Sequence, residues 1–547
     1  MKTRNAKRMM LAACIGVMTA AGSGLVAQSA EAAALCVGTA SGCYSTIQAA
    51  VDAAHGGDSI AIGPGTYAGG VTIDVSVRLA GAGAATRISG GGPVVTIGSA
   101  TSKPTVTIAN VTITGGVTTT NPQSPRCGPD VPTCGPGYTT ATALGGGVEA
   151  FPGTKVTILN SIVTANRAVP ATSVPSVKAI CPGNVPCPAS FGDAAGIDDW
   201  GTMTVIGTIV SDNHAAANQS DGGGIAVEAG ASLSLQASAV TGNSASAAPP
   251  TGRFAAGGGI YVDSAGTLAI DGSRIDGNTA SIANTLPSPY PQQDGATDQE
   301  NAFTGGVYLS DGSAATIRGS ELDENSVLVN TPLGQAFGAD AALCACGNVP
   351  LTVQSSRIEG NRLTVTALSS DANGPSGPGT MEADANATIA NVRIAGNATT
   401  VTSPNHDAAA IAAVGFFFGG TVPPTIANSA IIGNISRAIA PSGTATIQGA
   451  GLTNNGPLVL TNVTVSGNRG VADGQHGSAQ GAGVWNGILF GGPTSPLTLR
   501  NSIVTGNVLS GSPGITLQGA GIYTPGFPPT LANTVVARNT PDQCFGC

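Results

Sequence analysis

A phrase of the form apolar-x-x-Asn closes eleven times in this chain, at Asn166, Asn213, Asn243, Asn278, Asn325, Asn361, Asn397, Asn434, Asn468, Asn507 and Asn539. A weaker copy at 105–116 places Gly116 in the closing position. Returns at roughly 30–50 residues mark stacked units, each too small to bury its apolar face alone. The copies must therefore be coils of one solenoid.

Aligned on the closing Asn, the position eight earlier is aliphatic throughout (Ile158, Val205, Leu235 and their successors), and so is the position three earlier (Val163, Val210, Val240). Apolar and polar residues alternate within each short run, the period of a strand. Two strands per copy follow, meeting six residues before the closing Asn. That junction holds Asn160, Gly207, Ala237, Gly272, Gly319 and Ser355, then Asn391, Asn428, Asn462, Asn501 and Asn533. Gly and Asn tolerate the left-handed backbone of a two-residue bend. Five successive Asn also predict a ladder of stacked side-chain amides there. A third, glycine-led strand precedes most copies: G-G-G-V at Val148, G-G-G-I at Ile225 and Ile260, G-G-V at Val307, G-A-G-V at Val484 and G-A-G-I at Ile522. Three strands per coil predict an all-β fold, a single-stranded right-handed parallel β-helix of about twelve coils. Glycine-led strands paired with an apolar-x-x-Asn close resemble the repeats of polymorphic outer-membrane proteins and other bacterial pectin-lyase-like β-helix proteins, over about residues 105–540.

Composition agrees. Glycine supplies 80 residues, aromatics 4% and charged residues 9%, while hydrophobic content is 41%, too high for a disordered chain. Residues 1–34 have the form of a secretory signal: Lys2, Arg4, Lys7 and Arg8, an apolar run, then A-E-A at 30–32 or A-A-A at 32–34. Residues 35–104 are expected to hold a capping helix and the first coils, and 105–547 the repeats with long loops. No later stretch is apolar enough to span a membrane. With neither a sortase-type signal nor an autotransporter barrel, the product is expected to be released, or associated with the cell surface, as a monomer. Beyond the leader the only lysines are Lys103, Lys155 and Lys178, and the net charge of −9 argues against nucleic acid. Ten cysteines fall in close pairs: Cys36 and Cys43, Cys127 and Cys134, Cys181 and Cys187, Cys344 and Cys346, Cys544 and Cys547. An exported chain would use such pairs as disulfides. A metal role for them is set aside because none is accompanied by suitably spaced His.

The segment S-T-I-Q-A-A-V-D-A-A-H-G at 45–56 predicts one helix, capped by Ser45 with Gln48 three residues on and ended by Gly56. The following P-G-T-Y resembles the first turn of pectinesterases. Those enzymes carry Glu two residues after the Tyr, whereas Tyr67 is followed by Ala68 and Gly69, and neither Q-D-T-L nor D-F-I-F-G occurs.

In pectin-lyase-like enzymes the working surface lies on the first strand of each coil, walled by the loops before it. The outward position after the Val or Ile of the glycine motif holds Glu149, Asp198, Ala226, Tyr261, Tyr308, Trp485 and Tyr523. Rings on adjacent coils could form a platform for sugar faces, with Tyr261, Tyr308, Trp485 and Tyr523 as the binding residues. Glu149, Asp198 and Asp199 are candidate catalytic acids, since two carboxylates about 5 Å apart suit a retaining glycosidase. Asp198, Asp199, Glu228 and Asp263 are candidate Ca²⁺ ligands, hard oxygens on neighbouring coils. Compared with polygalacturonases, Asp198-Asp199 matches their D-D, but His476-Gly477, the H-G that follows it, lies many coils away and no suitable R-x-K follows. A lyase would need a base, and Arg167 and Lys178 are the nearby ones. Arg274, Glu321, Arg357 and Arg393 share an outward column that predicts a surface ion ladder. Thr-rich runs near residue 106 suggest an ice-binding array, set aside because no repetition of Thr down the stack is apparent.

The expected role is non-enzymatic binding of polysaccharide or a cell-envelope surface, as an adhesin would. The alternatives are a polysaccharide lyase or glycoside hydrolase acting on a uronate-containing polymer, and a purely structural surface protein.

Overall fold

The computed structural model describes residues 34–119, 141–170, 180–181, 185–186, 190–247, 254–283, 299–331, 335–347, 349–367, 378–384, 386–417, 422–488 and 496–547. Successive coils pair strand to strand in long all-parallel sheets, a right-handed parallel β-helix. The coil that closes at Asn278 shows the plan. Its glycine-led strand Ile260–Val262 belongs to a 14-stranded sheet (sheet I), Thr267–Asp271 to a 15-stranded sheet (sheet II) and Arg274–Asp276 to a second 14-stranded sheet (sheet III). The interior is a continuous aliphatic column that includes Ile260, Val262, Leu268, Ile270 and Ile275.

The bend between sheets II and III is left-handed, with φ of 47° at Asn160, 56° at Asn391 and 50° at Asn533. Amide stacking in that column joins Asn462 to Asn428 at 2.9 Å and Asn533 to Asn501 at 2.8 Å, both at the surface. The unbroken ladder is elsewhere, in the closing Asn residues themselves. Each Oδ1 accepts both the backbone N–H and the Nδ2 of the preceding closing Asn: Asn243 gives both to Asn278 at 3.0 Å, and Asn278 gives both to Asn325 at 3.0 Å. The run continues from Asn166 through Asn539, where Gln543 Oε1 receives the last amide. Beside it, Ser or Thr hydroxyls five residues before the close accept backbone N–H groups of the preceding coil, as Ser273 does from Ser238 at 3.1 Å. The glycine motif is dictated by this ladder. A Cβ on Gly259 would lie 2.8 Å from the Gly306 carbonyl oxygen and 3.0 Å from the Asn278 amide.

Three strands per coil underestimates the fold. After the closing Asn the chain continues into a 13-stranded sheet (sheet IV; Thr279–Ala283 in the same coil), and many coils return through a six-stranded sheet (sheet V; Gln299–Phe303) before the next glycine motif. Sheets IV and V enclose a second core built largely of alanine, including Ala247, Ala255, Ala280 and Ala302 with Ile282 and Val329. The segments expected to be irregular loops therefore form a second layer beside sheet I.

At the N-terminal end the helix runs Ile47–Ala53. Its cap is Thr46, whose Oγ1 accepts from the Ala49 N–H at 3.1 Å, in place of Ser45. Gln48 turns outward to bond both backbone groups of Thr72. Ile47, Ala50 and Val51 close the end of the aliphatic column.

Three of the five expected disulfides are formed, joining Cys36 to Cys43, Cys344 to Cys346 and Cys544 to Cys547. The other two do not appear among the described residues. Cys127 and Cys134 lie outside the described residues, as does Cys187, and the side chain of its expected partner Cys181 is likewise undescribed. Residues 1–33, within the segment expected to be a secretory signal, also fall outside them. Among the described residues no helix is long and apolar enough to cross a membrane.

Candidate functional site: the outward face of sheet I and the second layer over it

Parallel pairing puts the expected outward column in register, with Glu149 beside Asp198, Tyr261 beside Tyr308 and Trp485 beside Tyr523. The rings stack as the spacing requires. Tyr261 and Tyr308 have centroids 5.3 Å apart and 3° between planes, and Trp485, Tyr523 and Phe545 form a second stack at 6.3 and 5.1 Å. This column is not an open platform. Tyr261 is 6% exposed, Trp485 3% and Tyr523 9%, because the second layer covers them. Tyr308 alone among the four is half-buried.

Around Tyr308 sheet V adds rings that no repeat spacing would have grouped. Phe303 lies 6.1 Å from Tyr308, 5.7 Å from Phe254 and 5.2 Å from Phe337, all tilted and all half-buried. Sheet V carries Phe254 beside Asn301 and Asn301 beside Phe337. Acidic groups flank this corner. Burial first, then the charges of Asp221 and Asp263, hold the Tyr261 hydroxyl pKa well above its usual value, so it stays a hydrogen-bonding phenol.

The carboxylates part company. Glu149 and Asp198 do lie on one outward column, 6% and 0% exposed. Asp199 does not join them. With one residue per face in a strand, it shares the inward parity of Ile197 and sits between Ala150 and Val227 of the adjoining coils. Its Oδ1 accepts the Gly201 N–H at 3.0 Å, while its buried Oδ2 has no hydrogen-bond partner among the described residues. Burial, with the nearby Glu228 charge as a smaller cause, raises its pKa to about 7. A group sealed in the interior cannot attack a substrate on the outer face, so Asp199 is withdrawn from the catalytic set. Nor does it meet the other candidate calcium ligands: among the described residues the one group of three ligating side chains close enough to share an ion is Asp340, Cys344 and Cys346. Glu228 and Asp263 share a register and leave Asp198 on another, so the four do not converge on one cation. Of the possible bases, Arg167 is exposed on sheet IV beside His214, whose Nδ1 meets Ser244 Oγ at 2.7 Å; Lys178 lies outside the described residues.

The ion ladder on sheet III forms as expected: Arg274 and Arg357 bracket Glu321 at 3.4 and 2.7 Å, and Arg393 meets Glu359 at 2.7 Å. All are substantially exposed, where such pairs contribute little.

Sheet II overturns the dismissal of repeating threonines. Its outward column runs Thr107, Thr157, Thr204, Ser234, Ala269, Thr316, Thr352, Thr388, Thr425, Val459, Thr498, Thr530, one residue per coil. Thr202, Thr204, Ser232, Ser234, Thr267 and Thr316 line a shallow groove along this face. The signal was present nine residues before the closing Asn, where all but Ser234, Ala269 and Val459 are threonine.

No protein-family model matches the chain, and no curated protein matches its sequence. Among solved structures it is similar to the pectin methylesterase of Aspergillus niger (14% identity, TM-score 0.26, covering 59% of this chain and 86% of that one). It is also similar to the ORF18 protein of Geobacillus virus E2 (12%, 0.28, 76% and 57%) and to the Dettilon tailspike protein (10%, 0.24, 88% and 61%).

Proposed function

We propose that the chain is an exported, non-catalytic binding protein for polysaccharide or a cell-envelope surface, contacting saccharide through the ring cluster at Tyr308. The observation that carries this reading is the group of half-buried rings, Tyr308, Phe303, Phe254 and Phe337, on adjacent strands of sheets I and V. Aromatic faces stack on the apolar faces of sugars, and a rigid sheet presents them without an ordering cost on binding. The same layer supports a non-enzymatic role, since it buries Glu149 and Asp198 and leaves Asp199 inside the coil. A lyase or glycoside hydrolase would need those acids within reach of a glycosidic oxygen.

Tyr308→Ala and Phe303→Ala together are expected to weaken retention on immobilised polysaccharides at least tenfold in a protein that remains folded at the assay temperature. Affinity electrophoresis across neutral and uronate-containing polymers measures this, and unchanged mobility shifts in the double variant would remove the ring cluster from the reading. New reducing or unsaturated ends released by the wild-type protein would make it an enzyme instead.

A second reading rests on the threonine column of sheet II. Methyl and hydroxyl groups about 4.8 Å apart, unbroken from Thr316 through Thr352 and Thr388 to Thr425, form a regular face suited to ordering water in an ice-like array. Thermal hysteresis in the wild type that disappears when Thr316→Lys and Thr352→Lys are combined is the expected result for that reading. Ordinary freezing of the wild type would dispose of it.

A further inference from the structure

Where the coils closing at Asn325 and Asn361 meet the one closing at Asn397, the outward column of sheet I changes from rings to sulfur and carboxylate: Tyr308, then Cys344, then Glu382 in register. Four residues before Cys344 stands Asp340, in a left-handed corner with φ of 57°. This corner aims a side chain at the residue four positions on. At the equivalent Gly145, an added Cβ would lie 2.9 Å from the Glu149 Cβ. Asp340 is thereby folded over Cys344, and Cys346 two residues later completes the group. One ligand atom from each of Asp340, Cys344 and Cys346 lies within 4.8 Å of the others, and Cys346 Sγ is 3.8 Å from Asp340 Oδ2.

Two further features mark this as more than a disulfide. Asp340 is fully buried and its Oδ1 has no hydrogen-bond partner among the described residues, and the same holds for Thr304 Oγ1 at the corresponding corner of the preceding coil. Glu382 from the next coil shares a side-chain hydrogen bond with Asp340, and the carboxyls of Glu382 and Asp384 gather further acid here, with no cation among the interacting groups. Buried oxygens without donors are costly unless something positive is placed beside them. Cys346 is half-buried, while Cys344 and Asp340 are wholly enclosed, so the group has one side open to solvent.

We propose that Asp340, Cys344 and Cys346 form a binding site for a divalent thiophilic cation such as Zn²⁺, closed in the disulfide form and opened by reduction. In the closed form the two sulfurs are bonded to one another. A dithiol reductant supplies two electrons and two protons, the Cys344–Cys346 bond is exchanged for the reductant's own disulfide, and two thiols result. The cation then displaces both thiol protons, together with any proton on the Asp340 carboxyl, and is held by two thiolates and the Asp340 carboxylate. Two sulfurs and one oxygen with a fourth position left for water suit zinc or cobalt and suit calcium poorly. The absence of a nearby His, which argued against metal from the sequence, is made good by the corner aspartate.

Co²⁺ titration of the full-length protein, reduced with dithiothreitol and freed of excess reductant without air, tests this through thiolate-to-cobalt charge-transfer absorption. The wild type is expected to take up an equivalent of Co²⁺ that is lost in Cys344→Ser, absent from the oxidised protein and bound at least tenfold more weakly in Asp340→Asn. Cys346→Ser, at the more exposed sulfur, serves in the same way should Cys344→Ser not fold. The assignment is overturned if the reduced wild type shows no charge-transfer band. It is equally overturned if the band survives both cysteine substitutions, because other reduced pairs then hold the metal. An unchanged affinity in Asp340→Asn likewise removes the site as assigned.

Discussion

Asn278→Ala is expected to cost roughly 3–6 kcal/mol, among the largest effects available to a single substitution in this chain. Asn278 Oδ1 accepts two hydrogen bonds from Asn243, and its Nδ2 donates to the Val240 carbonyl at 2.9 Å and to Asn325. Truncation takes the acceptor from the Asn243 backbone N–H, one of the two acceptors from the Asn243 amide, which keeps the Val210 carbonyl, and the side-chain donor from the Val240 carbonyl, each buried loss worth about 1–3 kcal/mol. Water cannot replace them, because both neighbouring Asn residues are fully buried. Asn278→Asp separates the ladder from simple packing. It keeps the volume and the acceptor toward Asn243 but presents a carboxylate to the Val240 carbonyl and Asn325 Oδ1, so it should destabilise comparably at neutral pH. Chemical denaturation of both variants measures this, and a loss below about 1 kcal/mol in each would show that the ladder is not holding the coils together.

The second large effect is a gain. Asp199→Asn is expected to stabilise the protein by up to about 4 kcal/mol at pH 8 and to do little below pH 4. The sign follows from the raised pKa, about 7 in the folded protein against an ordinary value of 3.8. Between those values the folded chain holds a proton that the unfolded chain has released. Stability therefore falls as pH rises from about 4 through 7 and levels off above. The amide keeps the acceptor for the Gly201 N–H and carries no charge to be buried. Asp340 and Glu382 are pushed well above the usual carboxylate range, burial being the largest cause in each, and give the wild type a further alkaline loss of the same sign. The difference between wild type and variant isolates Asp199. Denaturant midpoints between pH 4 and 8 provide the measurement, and parallel profiles for the two proteins would place Asp199 in contact with solvent.

The coil, its strands and its bend were legible because a solenoid repeats its own constraints. An aliphatic residue eight before each closing Asn and another three before it can share one interior only in stacked strands, and the left-handed bend at Asn160 or Asn533 admits few residue types. The inward parity of Asp199 was legible too, since a residue next to an outward Asp198 in a strand must face the other way. So was the threonine column. What that pattern left open was the cover over sheet I. Sheets IV and V are built from segments whose lengths differ from coil to coil and whose alanines repeat only weakly, so no column announces them. Whether Tyr261, Trp485 and Tyr523 meet solvent depends on that second layer, as does the grouping of Phe254, Phe303 and Phe337 around Tyr308. The stack itself is written in the linear order of residues, because each coil pairs with its neighbour through a repeating local pattern. Which outward residues are reachable, and that Asp340 closes over Cys344, emerged only from the folded arrangement. Burial is set by whatever segment packs across the sheet, and no repeat spacing encodes that.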